Sequence, residues 1–192
     1  MSVSLATQPA VKLRRALHRF PELAGNETET ARRVLEFFEP LAPDRVVTGL
    51  GGNGLAFEFG DAARGPTVLF RCELDALPIA ERNGFDHRSQ REGVAHKCGH
   101  DGHMAILAEV GRALSERRPR HGRVVLLYQP AEETGAGAEA VVGDPKFAGL
   151  RPDTSFALHN LPGFPTGQIV FRNGTMACAS RGMQIELFGR EA

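Results

Sequence analysis

Two continuous apolar runs of strand length, Pro66-Thr-Val-Leu-Phe-Arg71 and Arg123-Val-Val-Leu-Leu-Tyr128, constrain the fold of this chain more than anything else in it. A strand with one face in water alternates apolar and polar residues, whereas a run without alternation has to be covered on both faces. Two such strands separated by a helical segment call for helices on either side of one sheet. The chain has 192 residues, enough for one domain with a substantial core.

The rest of the chain fits that demand. A helix over 9–20 has Pro9 in its first turn and Val11, Leu13, Ala16, Leu17 and Phe20 at helical spacing, and Pro21 stops it. His18 reads there as a core or boundary histidine rather than a ligand. A second helix is expected to open at Asn26, with Glu29 completing a capping box, and to run through Ala31, Val34, Leu35 and Phe38 to Pro40. Residues 45–48 and the alternating 55–59 read as strands around a glycine-rich turn, 49–54, which lacks the spacing of a phosphate cradle. Further strands are expected at 154–158, 168–171 and 183–188, and a short Ala/Gly-rich helix at 136–142. The alternation predicts an α/β three-layer sandwich with a largely parallel central sheet.

The loop 74–97 has little regular pattern, and long loops inside a compact domain usually serve function. It feeds His96-Lys-Cys-Gly-His-Asp-Gly-His103, which offers three imidazoles, one thiol and one carboxylate, with two glycines that let the backbone turn tightly. Thiolate and imidazole are preferred ligands of zinc and its neighbours. The helix that follows, 104–114, carries Met104, Leu107, Ala108 and Leu114 on one side and Ile106, Val110 and Ala113 on another, so it is expected to be buried on several sides, with Asp101 as its N-cap.

Three of the expected strands, all read as buried, end in ligand-type residues: the first apolar run leads to Glu73 and Asp75, the second to Glu132 and Glu133, and strand 154–158 to His159. Sites in α/β sheets collect at the carboxyl ends of strands, which predicts that these residues meet the Cys98/His100 loop. Cys98, His100, Glu133 and His159 supply a mixed S, N and O donor set able to hold one or two divalent ions. Two zinc-like ions would share a bridging hydroxide as nucleophile. Glu132 cannot point the same way as Glu133 in extended backbone, and so is free to serve as general base. Asp75 would orient an imidazole or support the site from behind.

Five motifs in order carry a family resemblance: Leu17-His18 with Pro21-Glu22, Glu73-Leu-Asp-Ala-Leu-Pro78, His96–His103, Gln129-Pro-Ala-Glu-Glu133 and Ala157-Leu-His-Asn160. Together they resemble the amidohydrolase branch of the M20 metallopeptidases, which includes hippurate hydrolases, auxin-conjugate hydrolases and N-acyl-amino-acid amidohydrolases. The resemblance implies a two-metal site (zinc, manganese, cobalt or nickel) with Cys98, His100, Glu133 and His159 as ligands. It further implies that Glu132 is the general base for attack of a metal-bound hydroxide on an amide joining an acyl group to an amino acid, or on a C-terminal peptide bond. Members of this branch are about twice as long and carry an inserted lid or dimerisation domain, followed by a segment with a fifth, histidine ligand. By that resemblance residues 1–180 are the N-terminal part of the catalytic domain and 181–192 the first strand of the lid. The chain on its own is then expected to hold metal weakly and to turn over little.

Lys plus Arg and Asp plus Glu both number 23, so nothing in the charge balance suggests nucleic acid or an acidic membrane as partner. Three cysteines without framework spacing point to a reducing compartment, with the cytoplasm as default, and to Cys72 and Cys178 as small apolar core residues. No apolar run approaches the roughly 20 residues that span a bilayer. The expected partner is a small N-acyl amino acid or peptide, and homo-oligomerisation is left open. Two other readings stand beside the hydrolase: a catalytically inactive metal-binding relative, and a thiol enzyme using Cys98 as nucleophile with a histidine base.

Overall fold

The computed structural model describes residues 8–175, 183 and 185–189. The chain divides into two units, residues 1–160 and 161–192. In the first unit α1 (Gln8–Arg19), α2 (Thr28–Phe38), β1 (Arg45–Leu50), β2 (Gly54–Gly60), β3 (Thr67–Glu73), α3 (His100–Glu116), β4 (Arg123–Gln129), α4 (Gly137–Gly143) and β5 (Thr154–Ala157) follow in order, with short 3₁₀ turns before β1, β3 and β5.

The sheet order is β1-β2-β4-β3-β5. The apolar runs became β3 and β4, which pair in parallel at the centre, with β5 parallel on the far side of β3. The β1–β2 hairpin adds to β4 in antiparallel fashion. Strand alternation divides the core into two faces. Leu55, Phe57, Phe59, Cys72, Leu126 and Tyr128 pack beneath α1, α2 and α3, while Ala56, Leu69, Val125 and Leu127 pack against Val141 of α4 and Leu150. Helices therefore cover both faces of one sheet.

Packing on the first face is tight. Phe38, at the end of α2, stacks on Phe57 with ring centroids 3.8 Å apart and meets Tyr128 edge-on. α3 approaches closely because residue 111 is glycine: a Cβ there would lie 2.3 Å from the Phe38 ring. Beneath the same helix, the Tyr128 hydroxyl donates to the Met104 carbonyl at 3.2 Å.

Several expectations change. α3 has one buried face, not several, since Ile106 is 48% exposed: the helix lies in an outer layer, with only its Met104–Leu107–Ala108–Gly111 side on the sheet. Its N-cap is Gly99, and Asp101 lies inside the first turn, where its carboxylate faces His18 instead. The expected capping box at Asn26 is absent; α2 starts at Thr28, and the Thr30 N–H is taken by the Glu22 carboxylate, reaching in from the preceding turn. β5 is an exposed edge strand rather than a buried one, because among the described residues β3 is its only neighbour and Phe156, stacked on Phe70, is still half open to solvent.

The second unit contains turns around 162–167, with Gln168 N–H donating to the Pro165 carbonyl. The strand expected at 168–171 is not formed: among the described residues no neighbour accepts its backbone groups, and an unpaired strand leaves them to water. Of the strand expected at 183–188, residues 183 and 185–188 have no regular structure and Gln184 lies outside the described residues, as do Cys178 and the expected boundary between residues 180 and 181. No helix among the described residues is long and apolar enough to cross a membrane.

Candidate metal centre

The carboxyl ends of β3, β4 and β5 and the N-terminus of α3 meet at one edge of the sheet. Gly99 makes this possible: with φ of 97° it turns the chain from Cys98 into α3, so that His100 opens the helix. Glu73 closes β3, and Asp75 lies two residues on.

His100 is the hub. It is 1% exposed, and its Nδ1–H donates to the Asp75 carbonyl at 2.8 Å, which leaves the lone pair on Nε2 in the neutral ring. That Nε2 is buried without a hydrogen-bond partner. It faces Glu132 Oε2 and Glu133 Oε1, each 3.7 Å away. His159 is set the same way: Nδ1–H donates to the Asn160 carbonyl at 2.8 Å, and Nε2 lies 3.3 Å from Cys98 Sγ. Donor atoms of Cys98, His100 and His159 fall within 4.8 Å of one another, and so do those of His100, Glu132 and Glu133. All four sequence-predicted ligands and the predicted base therefore converge.

Burial, together with the charges of Glu133, Glu132 and Glu73, pushes the Cys98 thiol up to about 11. A thiol so placed is a poor nucleophile near neutrality, which counts against the thiol-enzyme reading. Asp75 is held below the usual carboxylate range: burial opposes its ionisation, but the His100 ring and the backbone N–H groups of Glu133 and Glu132 outweigh it. For His100 burial acts downward and is outweighed by Asp75 and Glu73, so its pKa is raised. A surplus of acidic groups around inward-facing imidazole lone pairs fits a divalent cation.

Comparison with known proteins agrees. Residues 69–190 match the model of peptidase family M20/M25/M40. The chain belongs to this family. It is 32% identical over 193 residues to an N-acetyl-L-cysteine deacetylase of Bacillus subtilis, covering 100% of this chain and 46% of that protein. It is 33% identical over 186 residues to an N-acetyldiaminopimelate deacetylase of Priestia megaterium, covering 97% and 49% respectively. Among solved structures, a dinuclear metal-binding M20 peptidase from Bacillus subtilis aligns with a TM-score of 0.77 at 31% identity, over 83% of this chain and 44% of that one. The M20 chain thus spans about half the length of the curated relatives it matches.

One argument made from the sequence fails on this M20 chain. Glu132 and Glu133 were expected to diverge, as neighbours do in extended backbone; instead both face His100 Nε2. The backbone there is a turn, with Ala131 at φ 49°. Sequence reasoning also missed a second buried pair. His103 Nδ1–H donates to Glu73 Oε2 at 2.8 Å, and Asn160 N–H donates to His103 Nε2 at 3.1 Å. With both nitrogens engaged, His103 is less open as a donor than His100, although Glu73, His100 and His103 also lie within metal-sharing distance. The signal was present: Glu73 and Asp75 are two apart on a strand end, and His100 and His103 three apart on a helix, so each pair shares a side. His18, as expected, is structural: buried between Asp101 Oδ2 at 2.9 Å and Glu81 Oε2 at 3.1 Å.

Proposed function

We propose that this chain carries the metal-holding half-site of an M20 amidohydrolase acting on N-acyl amino acids or a C-terminal peptide bond. The observation that carries the reading is the buried, unpartnered Nε2 of His100, equidistant from two carboxylates. Cys98, His100, Glu133 and His159 would hold two divalent ions. When bound, the ions polarise the amide carbonyl and acidify water.

The remaining steps belong to side chains of the chain itself. Glu132, whose side chain is 36% exposed, takes the proton of the attacking water and returns it to the leaving nitrogen. Asp75 fixes the Glu133 backbone through its N–H at 2.9 Å and, through its own carbonyl, the tautomer of His100. The relatives' names, both N-acetyl amino acid deacetylases, support the substrate class. The free Cys72 and Cys98 suit a reducing, cytoplasmic setting.

A second reading, metal binding without turnover, draws on the same donor set in a chain that spans half its relatives. The deciding experiment is elemental analysis of the purified chain after Mn²⁺ or Zn²⁺ loading, with Glu133→Ala as control, followed by assay on N-acetyl amino acids. Close to two equivalents, lost in the control, with turnover, supports the hydrolase. The same metal content without turnover supports the second reading. A folded chain that retains no metal overturns both.

A further inference from the structure

Glu27 stands just before α2, and it is 0% exposed although it takes no part in the donor set. Its side chain does not cap its own helix. One oxygen accepts instead from the backbone N–H of Ala131 at 2.8 Å, 104 residues away in sequence. The other accepts from Asn53 Nδ2 at 2.9 Å, and Asn53 is itself tied to the Gly25 carbonyl. The carboxyl is thus clamped between the β1–β2 turn and the residue that precedes Glu132.

Ala131 is one of two non-glycine residues with positive φ among those described. L-residues avoid this conformation unless their surroundings enforce it. The turn after it is closed by hydrogen bonds from Gly137 N–H to the Ala131 carbonyl at 3.0 Å and from Gly135 N–H to the Glu132 carbonyl at 2.8 Å. On the far side of Glu132, the Glu133 N–H is held by Asp75 Oδ2. Two buried carboxyl groups, Glu27 and Asp75, therefore grip the backbone on either side of Glu132. Pro130 is hemmed in as well: a Cβ on Gly137 would lie 1.7 Å from its carbonyl oxygen, and one on Gly54 3.0 Å from its Cδ.

We propose that Glu27 is a positioning residue whose buried carboxyl holds Ala131 in the left-handed conformation that aims the turn carrying Glu132 and Glu133 at His100. In extended backbone the two glutamates would point to opposite sides; here they lie in the turn closed by Gly135 N–H on the Glu132 carbonyl, and Ala131 sets the direction in which that turn leaves β4. The consequence for metal binding rests on the two-metal reading, whereas the clamp itself does not.

The test uses the whole chain and two readouts: amide hydrogen exchange at Ala131, and Mn²⁺ affinity by calorimetry. In Glu27→Ala, exchange at Ala131 is expected to quicken at least tenfold and Mn²⁺ affinity to fall about tenfold. Adding Ala131→Gly should recover most of the affinity, because glycine takes positive φ without help. A general loss of stability would not be rescued this way. Should Glu27→Ala fail to fold, Glu27→Gln sets an amide against the Asn53 donor and is expected to weaken Mn²⁺ binding severalfold. Glu27→Gln with Asn53→Asp restores the donor–acceptor order across that pair, while giving up the contact to the Gly25 carbonyl, and is expected to recover part of the affinity. Unchanged exchange and affinity in a folded Glu27→Ala overturns the proposal, as does failure of both rescues. If the unmutated chain binds no Mn²⁺, the metal reading falls instead, and exchange at Ala131 still decides the clamp.

Discussion

Replacing Gly99 by alanine tests the geometry of the site at its narrowest point. Gly99 lies between Cys98 and His100, and its φ of 97° is outside the range that side-chain-bearing residues adopt easily. Forcing alanine into it costs about 1–2 kcal/mol in backbone strain. The added Cβ would also fall 2.4 Å from Asn160 Oδ1, which is itself 2.5 Å from His103 Nε2. Moving that amide aside forces its side chain off its rotamer, at about 0.5–1.5 kcal/mol. The sum is a destabilisation of about 1.5–3.5 kcal/mol, read by urea unfolding at constant m-value. The two parts separate in a double-mutant cycle. With Asn160→Ala already present, Gly99→Ala should cost only the backbone part, so the coupling is about 0.5–1.5 kcal/mol. Metal uptake should fall as well, since His159 adjoins the displaced residue. A Gly99→Ala protein within about 0.5 kcal/mol of the parent, or the same cost in both backgrounds, would refute the reasoning.

Three further outcomes are expected. On the proposed hydrolase reading, Glu132→Gln should keep metal content and substrate KM while lowering whatever kcat the parent shows by roughly 10²–10⁴-fold; a kcat within threefold of the parent removes Glu132 as the base. Gly111→Ala puts a methyl against a Phe38 ring already stacked on Phe57, so overpacking of about 1–3 kcal/mol competes with a helix-propensity gain of about 1 kcal/mol. The net effect is neutral to about 2 kcal/mol destabilising, and a clearly stabilised variant in thermal unfolding contradicts the packing. Stability should also pass through a maximum with pH. The hydrogen bond to Asp101 raises the His18 pKa above 6.5, so the stability it contributes is complete below 6.5 and lost as pH rises through the raised value. Burial of Glu81 works against its ionisation, but Lys97, Ser89, Asn83 and His18 outweigh it and bring it to about 2, so its contribution is complete above 4.5 and lost as pH falls toward 2. The alkaline limb of melting temperature against pH should become shallower in His18→Gln and the acid limb shallower in Glu81→Gln, other groups sharing each limb; superimposable curves dispose of this assignment.

Where the sequence was legible, the reason is periodicity. The unbroken apolar runs could only be central strands, and they are the parallel β3–β4 core of the sheet. The cluster of candidate donors was legible because three residue types with metal chemistry sat at strand ends and before a helix. What could not be read depends on contacts between residues far apart in the chain. Asp101 looks like an N-cap from its neighbours, yet His18 and Arg14 claim its carboxylate from 83 and 87 residues away. Glu132 and Glu133 look divergent until they are known to lie in a turn, whose direction is set by left-handed Ala131 and, through it, by Glu27 far away in the chain. Strand 168–171 has the composition of a strand but no neighbour among the described residues, and composition alone does not supply one.

The first turn of α3 shows why so few residues suffice to aim the site. His100, Asp101 and His103 leave the helix at three angles, and each is met by a different part of the chain: the Asp75 carbonyl after β3, His18 and Arg14 on α1, and Glu73 at the end of β3. The acidic Asp101 also sits where the helix dipole favours negative charge. A helix start pinned on three sides cannot rotate without breaking a buried hydrogen bond, each costly to leave unmade. The unpartnered Nε2 of His100 is therefore held open by its surroundings and does not relax toward a protein partner. On this reasoning, loosening any one of the three should reduce metal affinity even though none of Asp101, His18 or Glu73 is among the four proposed ligands. His18→Ala is the cleanest case, because its ring belongs to none of the donor groups and, among the described residues, bonds only Asp101 and Glu81. A fall in Mn²⁺ affinity with the His100 ring shift displaced in the NMR spectrum is the expected result. Unaltered affinity in a folded His18→Ala protein would mean that Asp75 and Glu73 alone fix the ring.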